Sequence, residues 1–229
     1  FNLKIYDIPG LNDSKSKTIY YNWISKNFYK FDIIFYVVDV QSSMNTSDER
    51  DIIKMIIQNI KKEQTRGHEV KLNVILNKCD DITINDNDEI ELDDEHCELL
   101  DQVKNIVNEE FKNNQLESYH WILSPLSSRD SFTCRTLQKN PTMNIDKQIR
   151  NKIGLEYIGK IKWKSMTETQ KDREIGKIVT SKSFEEKLKE CGFYQFRKNI
   201  NTNYLDYKSV MLFLLNKFKL LLGKFDKIE

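Results

Sequence analysis

"VKLNVILNKCD", Val70 to Asp80, holds the contrast on which the fold turns: the apolar run Val70–Leu76 predicts a strand, and the polar tetrapeptide Asn77–Asp80 follows at its carboxyl end. The pattern recurs on both sides of it. In "LKIYDIPGLND", Leu3 to Asp13, Phe1, Leu3 and Ile5 alternate with polar neighbours and Pro9-Gly10 ends the run, which predicts a strand closing at Asp7. "IIFYVVD", Ile33 to Asp39, is a continuous apolar run and predicts a strand buried on both faces. "YHWIL", Tyr119 to Leu123, predicts a fourth strand, followed by "SPLSS", Ser124 to Ser128. Helical periodicity fills the intervals, over Ser14–Lys30, Thr46–Glu63 and Glu95–Phe111, with Thr46 or Ser47 as N-cap of the second. Strands alternating with such helices predict an α/β fold, a parallel sheet flanked by helices. Open sheets of this class bind ligands at the carboxyl ends of their strands, where Asp7, the Asn77–Asp80 loop and the Ser127-Ser128 loop all fall.

Composition narrows the class without naming a partner. Lys plus Arg number 36 against 35 Asp plus Glu, so net charge gives no reason to expect a nucleic acid. Alanine is absent, a bias of an AT-rich genome rather than a structural demand. Cys79, Cys97, Cys134 and Cys191 show no paired zinc spacing, which makes reduced thiols and a cytoplasmic setting the expectation. No apolar run approaches the roughly 20 residues that span a bilayer. Ten of the nineteen residues from Asp80 to Glu98 are acidic, yet they lack the central glycine and ligand spacing of a calcium loop and are read as a solvated insertion over 81–98.

Three short motifs in order, "DIPG" at Asp7–Gly10, "NKCD" at Asn77–Asp80 and "PLSS" at Pro125–Ser128, resemble the DxxG, NKxD and SA-type loops of the P-loop GTPases. The resemblance covers about residues 1–129 and implies GTP or GDP as ligand and Mg²⁺ as cofactor. Guanine presents N1–H and an exocyclic amine side by side, and a carboxylate at Asp80 can accept from both. By the same likeness Lys78 lays its aliphatic stem along the base, Asn77 ties the loop to its neighbours, and the Ser127 and Ser128 N–H groups face guanine O6. The resemblance further implies that Asp7 would hold Mg²⁺ through water and that the Gly10 N–H would meet the γ-phosphate, where only a residue without a side chain allows so close an approach.

Two departures bear on activity. Leu11 stands where the family usually places the glutamine that orients the attacking water, a feature shared with dynamin-like GTPases. A phosphate loop, GxxxxGK[ST], is expected before Phe1, and its strand between those ending at Asp7 and Asp39; the sheet is thus expected to be P-loop NTPase-like but incomplete, its central strand missing. "GLEYIGKI", Gly154 to Ile161, has the glycines and lysine, but Ile161 replaces the metal-binding hydroxyl and a polar segment precedes it. Trp163 nearby is read as an aromatic packing a helix.

The expected organisation is a partial GTPase domain over 1–135 and a helical region over 136–229. "KSFEEKLKECGFYQFRKNINTNY", Lys182 to Tyr204, loosely resembles the Gly-aromatic or Gly-aliphatic turn that follows the dynamin nucleotide domain, and an amphipathic helix from near Phe193 accounts for it nearly as well. Over 205–225, Met211, Leu214, Leu215, Phe218, Leu221 and Leu222 form one helical face, suited to packing on the body, on a partner helix or on a second copy, with a membrane surface as the lesser choice. The function expected is GTP binding with Mg²⁺-dependent hydrolysis; the alternative is a catalytically inactive GTPase remnant serving as an interaction module.

Overall fold

The computed structural model describes residues 4–8, 17–80, 82–85, 90–140, 147–181, 184, 186 and 189–202. In chain order these form α1 (Lys17–Asn27), a 3-10 turn (Phe28–Lys30), β1 (Ile33–Asp39), α2 (Ser47–Gln64), β2 (Lys71–Asn77), β3 (Thr83–Ile84), β4 (Ile90–Glu91), α3 (Asp94–Asn113) and β5 (Ile122–Leu126). The helices that follow with stated bounds are α4 (Ser128–Lys139), α5 (Lys147–Ile158), α6 (Lys160–Ser165), α7 (Glu168–Val179) and α8 (Phe193–Ile200). The fold is α/β, a three-stranded parallel sheet in the order β1-β2-β5 with helices, then a largely helical region. Within the acidic insertion, β3 and β4 pair antiparallel with Thr83 opposite Glu91 and Ile84 opposite Ile90.

β2 is the middle strand, and Leu72 through Leu76 are all buried, as a strand covered on both faces requires. Helix α2 is capped by Thr46, whose hydroxyl accepts the Glu49 N–H at 3.3 Å while donating to Glu49 Oε2 at 2.7 Å. That cap satisfies one orphan donor of the first turn. Its apolar stripe, Ile52, Ile53, Ile56, Ile57 and Ile60, is buried; on α3 the buried positions Val103, Val107 and Phe111 recur every four residues.

Three strand expectations change. Residues 4–8 carry no strand, and Ile5 is 81% exposed, while the Tyr6 ring packs edge-on to Phe31 at 5.5 Å. Alternation makes a strand's two faces, but its backbone groups need a neighbouring ladder, and β1 pairs β2 alone among the described strands. β1 itself is buried on one side only, with Phe35 at 43% and Val37 at 56% exposure against Val38 at 2%. An apolar run reports strand propensity, whereas its covering comes from other elements. The last strand is Ile122–Leu126 and not Tyr119–Leu123: Tyr119 stacks on Phe111 at 4.6 Å and its hydroxyl donates to the Val70 carbonyl. Pro125 is tolerated inside it because β5 is an outer strand of the sheet.

Over the described residues the chain divides into two compact units, one drawn from Phe1–Leu76, Glu95–Ser124 and Asn199–Glu229, the other from Asn77–Asp94 and Pro125–Lys198. In the second, Trp163, 2% exposed, belongs to a core with Cys134, Leu137, Ile153, Ile175, Val179 and Phe184. Its indole N–H donates to Asn151 Oδ1 at 3.0 Å, and Lys171 lies over the ring at 5.5 Å. Helix α7 starts with a reciprocal box, Gln170 N–H on Thr167 Oγ1 and Thr167 N–H on Gln170 Oε1. Gly154 lies inside α5, so "GLEYIGKI" is helix and turn rather than a phosphate loop. The amphipathic face at 205–225 lies outside the described residues.

Gly176 on α7 offers a simple test of this unit, because a Cβ added there meets nothing within 4 Å. Gly176→Ala is expected to raise stability by about 0.5–1 kcal/mol through helix propensity. A higher denaturant midpoint at unchanged m-value would record it.

Candidate functional site

Two loops of the second unit come together. One leaves β2 at Asn77 and runs to Asp80; the other leaves β5 at Leu126 and enters α4. The Cys79 N–H donates to the Leu126 carbonyl at 3.4 Å, and the Cys79 side chain is fully buried beneath the loop. With Cys79 turned inward, Lys78 and Asp80 are left exposed. Lys78 has φ +67°, a left-handed conformation uncommon for a residue with a side chain. Such conformations cost of order 1 kcal/mol or more and concentrate at binding sites.

Side-chain hydrogen bonds close the pair of loops. Ser127 Oγ donates to Asp80 Oδ1 at 2.7 Å, and the Ser128 N–H donates to Asn77 Oδ1 at 3.1 Å. Ser127 is the N-cap residue of α4, yet its hydroxyl does not cap the helix. A serine there ordinarily accepts from the first turn; here its hydroxyl is committed to the carboxylate. Asp80 keeps Oδ2 and the remaining lone pair of Oδ1 for further donors. A carboxylate so held, on an exposed rim beside a helix amino terminus, is suited to two adjacent N–H groups of a planar ligand.

The structure thus brings Asn77, Asp80, Ser127 and Ser128 into one bonded group, with Lys78 between the first two in sequence. It also engages both N–H groups that the sequence reading assigns to guanine O6. The Ser127 N–H donates to the Cys191 carbonyl at 2.9 Å, the Ser128 N–H to Asn77. Cys191 is a participant that sequence reasoning did not find. Asp7 is exposed and belongs to the first unit; Gly10 and Leu11 lie outside the described residues. A cavity of about 220 Å³ beside Ile60, Val70, Lys71, Tyr119 and Ile122 is at the amino-terminal ends of β2 and β5 and contains none of these residues.

Mg²⁺ usually keeps several waters and binds one or two carboxylates together with nucleotide phosphates. Among the described residues no group of three or more His, Cys, Asp or Glu could hold a metal ion. The four cysteines are present as thiols, three of them buried. No described helix is long and apolar enough to cross a membrane.

Residues 1–121 match the Gtr1/RagA G protein conserved region, and the chain belongs to that family. The chain is also similar to an uncharacterized protein, R618, of Acanthamoeba polyphaga mimivirus, 27% identical over 84 residues that cover 37% of this chain. The chain spans 12% of that protein's length. No solved structure matches it significantly. Family membership implies guanine-nucleotide binding and lends nothing to a dynamin-like assignment.

Proposed function

We propose that the protein binds GTP and GDP through the loops after β2 and β5 and hydrolyses GTP as a member of its family. The observation that carries the reading is the Ser127–Asp80 hydrogen bond, which holds a carboxylate outward where guanine's N1–H and amine can reach it. In this reading Asp80 selects the base and the Lys78 stem lies along its face. Asn77 joins the two loops. The exposed Ser128 N–H is shared between Asn77 and guanine O6, while the Ser127 N–H, on a residue only 1% exposed, stays with the protein. The GTPase segment is taken as residues 1–135, with 81–98 as its insertion. Asp7 and Gly10 serve the metal and γ-phosphate side; any magnesium arrives with the nucleotide's own phosphates and water. Leu11 has no polar atom to orient water, so intrinsic hydrolysis is expected to be slow.

Titration of fluorescent GDP into the full chain tests binding, with GDP and ADP as competitors. Affinity in the micromolar range, about −8 kcal/mol, with GDP preferred over ADP by about 100-fold or more is the expected result. Equal displacement by ADP, or no binding, would overturn the assignment. Phosphate release from GTP then separates an enzyme from a binding-only module.

A further inference from the structure

We propose that the turn at Cys191–Gly192 is a positioning device for the base-reading loop, so that the helical region beyond the family match sets guanine specificity. The inference rests on the nucleotide reading above for its consequence, and on geometry for its existence.

Three contacts define the device. The Cys191 carbonyl accepts the Ser127 N–H at 2.9 Å. Ser131, buried on the first turn of α4, places its hydroxyl 2.6 Å from the Ser127 carbonyl and 3.2 Å from Cys191 Sγ. Gly192 has φ +76°, and a Cβ added there would collide with the Pro125 carbonyl oxygen while lying 3.0 Å from Ile82 Cδ1 and 3.2 Å from Leu126 Cα. The turn therefore presses backbone to backbone against the strand end that feeds Ser127, an approach open to glycine alone. The turn is itself anchored. Gly192 N–H donates to the Lys189 carbonyl at 2.9 Å, the Phe196 N–H to the Gly192 carbonyl at 3.0 Å, and the Arg135 guanidinium of α4 lies over the Phe193 ring at 4.5 Å.

The consequence follows from what Ser127 does. Its N–H is held from below, its carbonyl by Ser131, and its hydroxyl is left to donate to Asp80. Release of the N–H frees the residue to rotate, and the Asp80 carboxylate loses the partner that orients it. Cys191 and Gly192 touch no nucleotide; they act through Ser127.

The test uses the full chain, with hydrogen exchange at the Ser127 amide and the affinity ratio of GDP to IDP. Inosine lacks the exocyclic amine, so this ratio reports how well Asp80 is held; wild type is expected to favour GDP by about 10-fold or more. Gly192→Ala is expected to lower protection at Ser127 by about 10-fold or more and to shrink the GDP/IDP ratio at least about 3-fold. Ser131→Ala, which removes a hydroxyl and adds no bulk, is expected to act in the same direction more weakly, and it carries the test should Gly192→Ala not fold. Gly176→Ala alters stability in the same unit and is expected to leave the ratio unchanged; a merely structural role would weaken both nucleotides alike. Undiminished Ser127 protection in both variants would overturn the device, and lost protection with a wild-type ratio would overturn its role in specificity. Should wild type bind no guanine nucleotide, the nucleotide reading falls, and exchange at Ser127 alone still decides whether the turn holds the loop.

Discussion

Asp80→Asn is expected to turn the protein's preference from guanosine to xanthosine nucleotides. Guanine offers two donors on adjacent positions, N1–H and the 2-amine; xanthine keeps N1–H and carries an acceptor at position 2. A carboxylate accepts from both groups of guanine and repels the xanthine oxygen. An amide supplies one acceptor and one donor, which inverts the match. Ser127 does not interfere with the exchange, because its hydroxyl, 2.7 Å from Oδ1, can donate to an amide oxygen as it does to a carboxylate. Each charge-assisted hydrogen bond lost contributes about 1.5–3 kcal/mol, so the GDP/XDP affinity ratio is expected to fall by about 10³-fold or more. Displacement of a fluorescent nucleotide by GDP and by XDP measures it. An unchanged GDP preference in a folded variant would remove Asp80 from the base site.

The second large effect is expected at Gly154. A Cβ there would overlap the indole ring of Trp163, which is 2% exposed and held by Asn151. The opposing term is small: alanine gains about 1 kcal/mol over glycine in helix propensity. Overpacking a closed core costs about 1–3 kcal/mol and more where a rigid ring must leave, so Gly154→Ala is expected to be destabilising on balance. Trp163→Ala, which leaves a cavity instead, is expected to lose about 3–5 kcal/mol. Denaturant midpoints and near-ultraviolet circular dichroism report both. Because Cys134 and Leu137 of α4 belong to the same core, and α4 begins at Ser128, nucleotide affinity should fall with stability in both variants. A Gly154→Ala variant as stable as Gly176→Ala would contradict the packing described for Trp163.

The helix and strand pattern was legible wherever local chemistry determined it. Thr46 announced α2, the run around Val74 announced β2, and the unbroken apolar stretch from Ile33 to Asp39 coincided with β1. Asn77, Asp80, Ser127 and Ser128 were singled out by motif spacing, because side chains are what a sequence spells; the bond from the Ser127 hydroxyl to Asp80 was not, since the sequence assigned both serines a part through their N–H groups. The misplacement of β5 by three residues shows the limit, since Tyr119 has strong strand preference and was drawn out by stacking on Phe111.

Sequence alone, then, determined the α/β class and brought Asn77, Asp80, Ser127 and Ser128 to attention, because both depend on residue type at short range. Tertiary structure alone decided which donors are spent inside the protein, which face of β1 stays uncovered, and that Ser131 meets Cys191 sixty residues along the chain. The physical reason is that Cys191 acts on Ser127 through a backbone carbonyl, a group every residue possesses, so only folding singles it out.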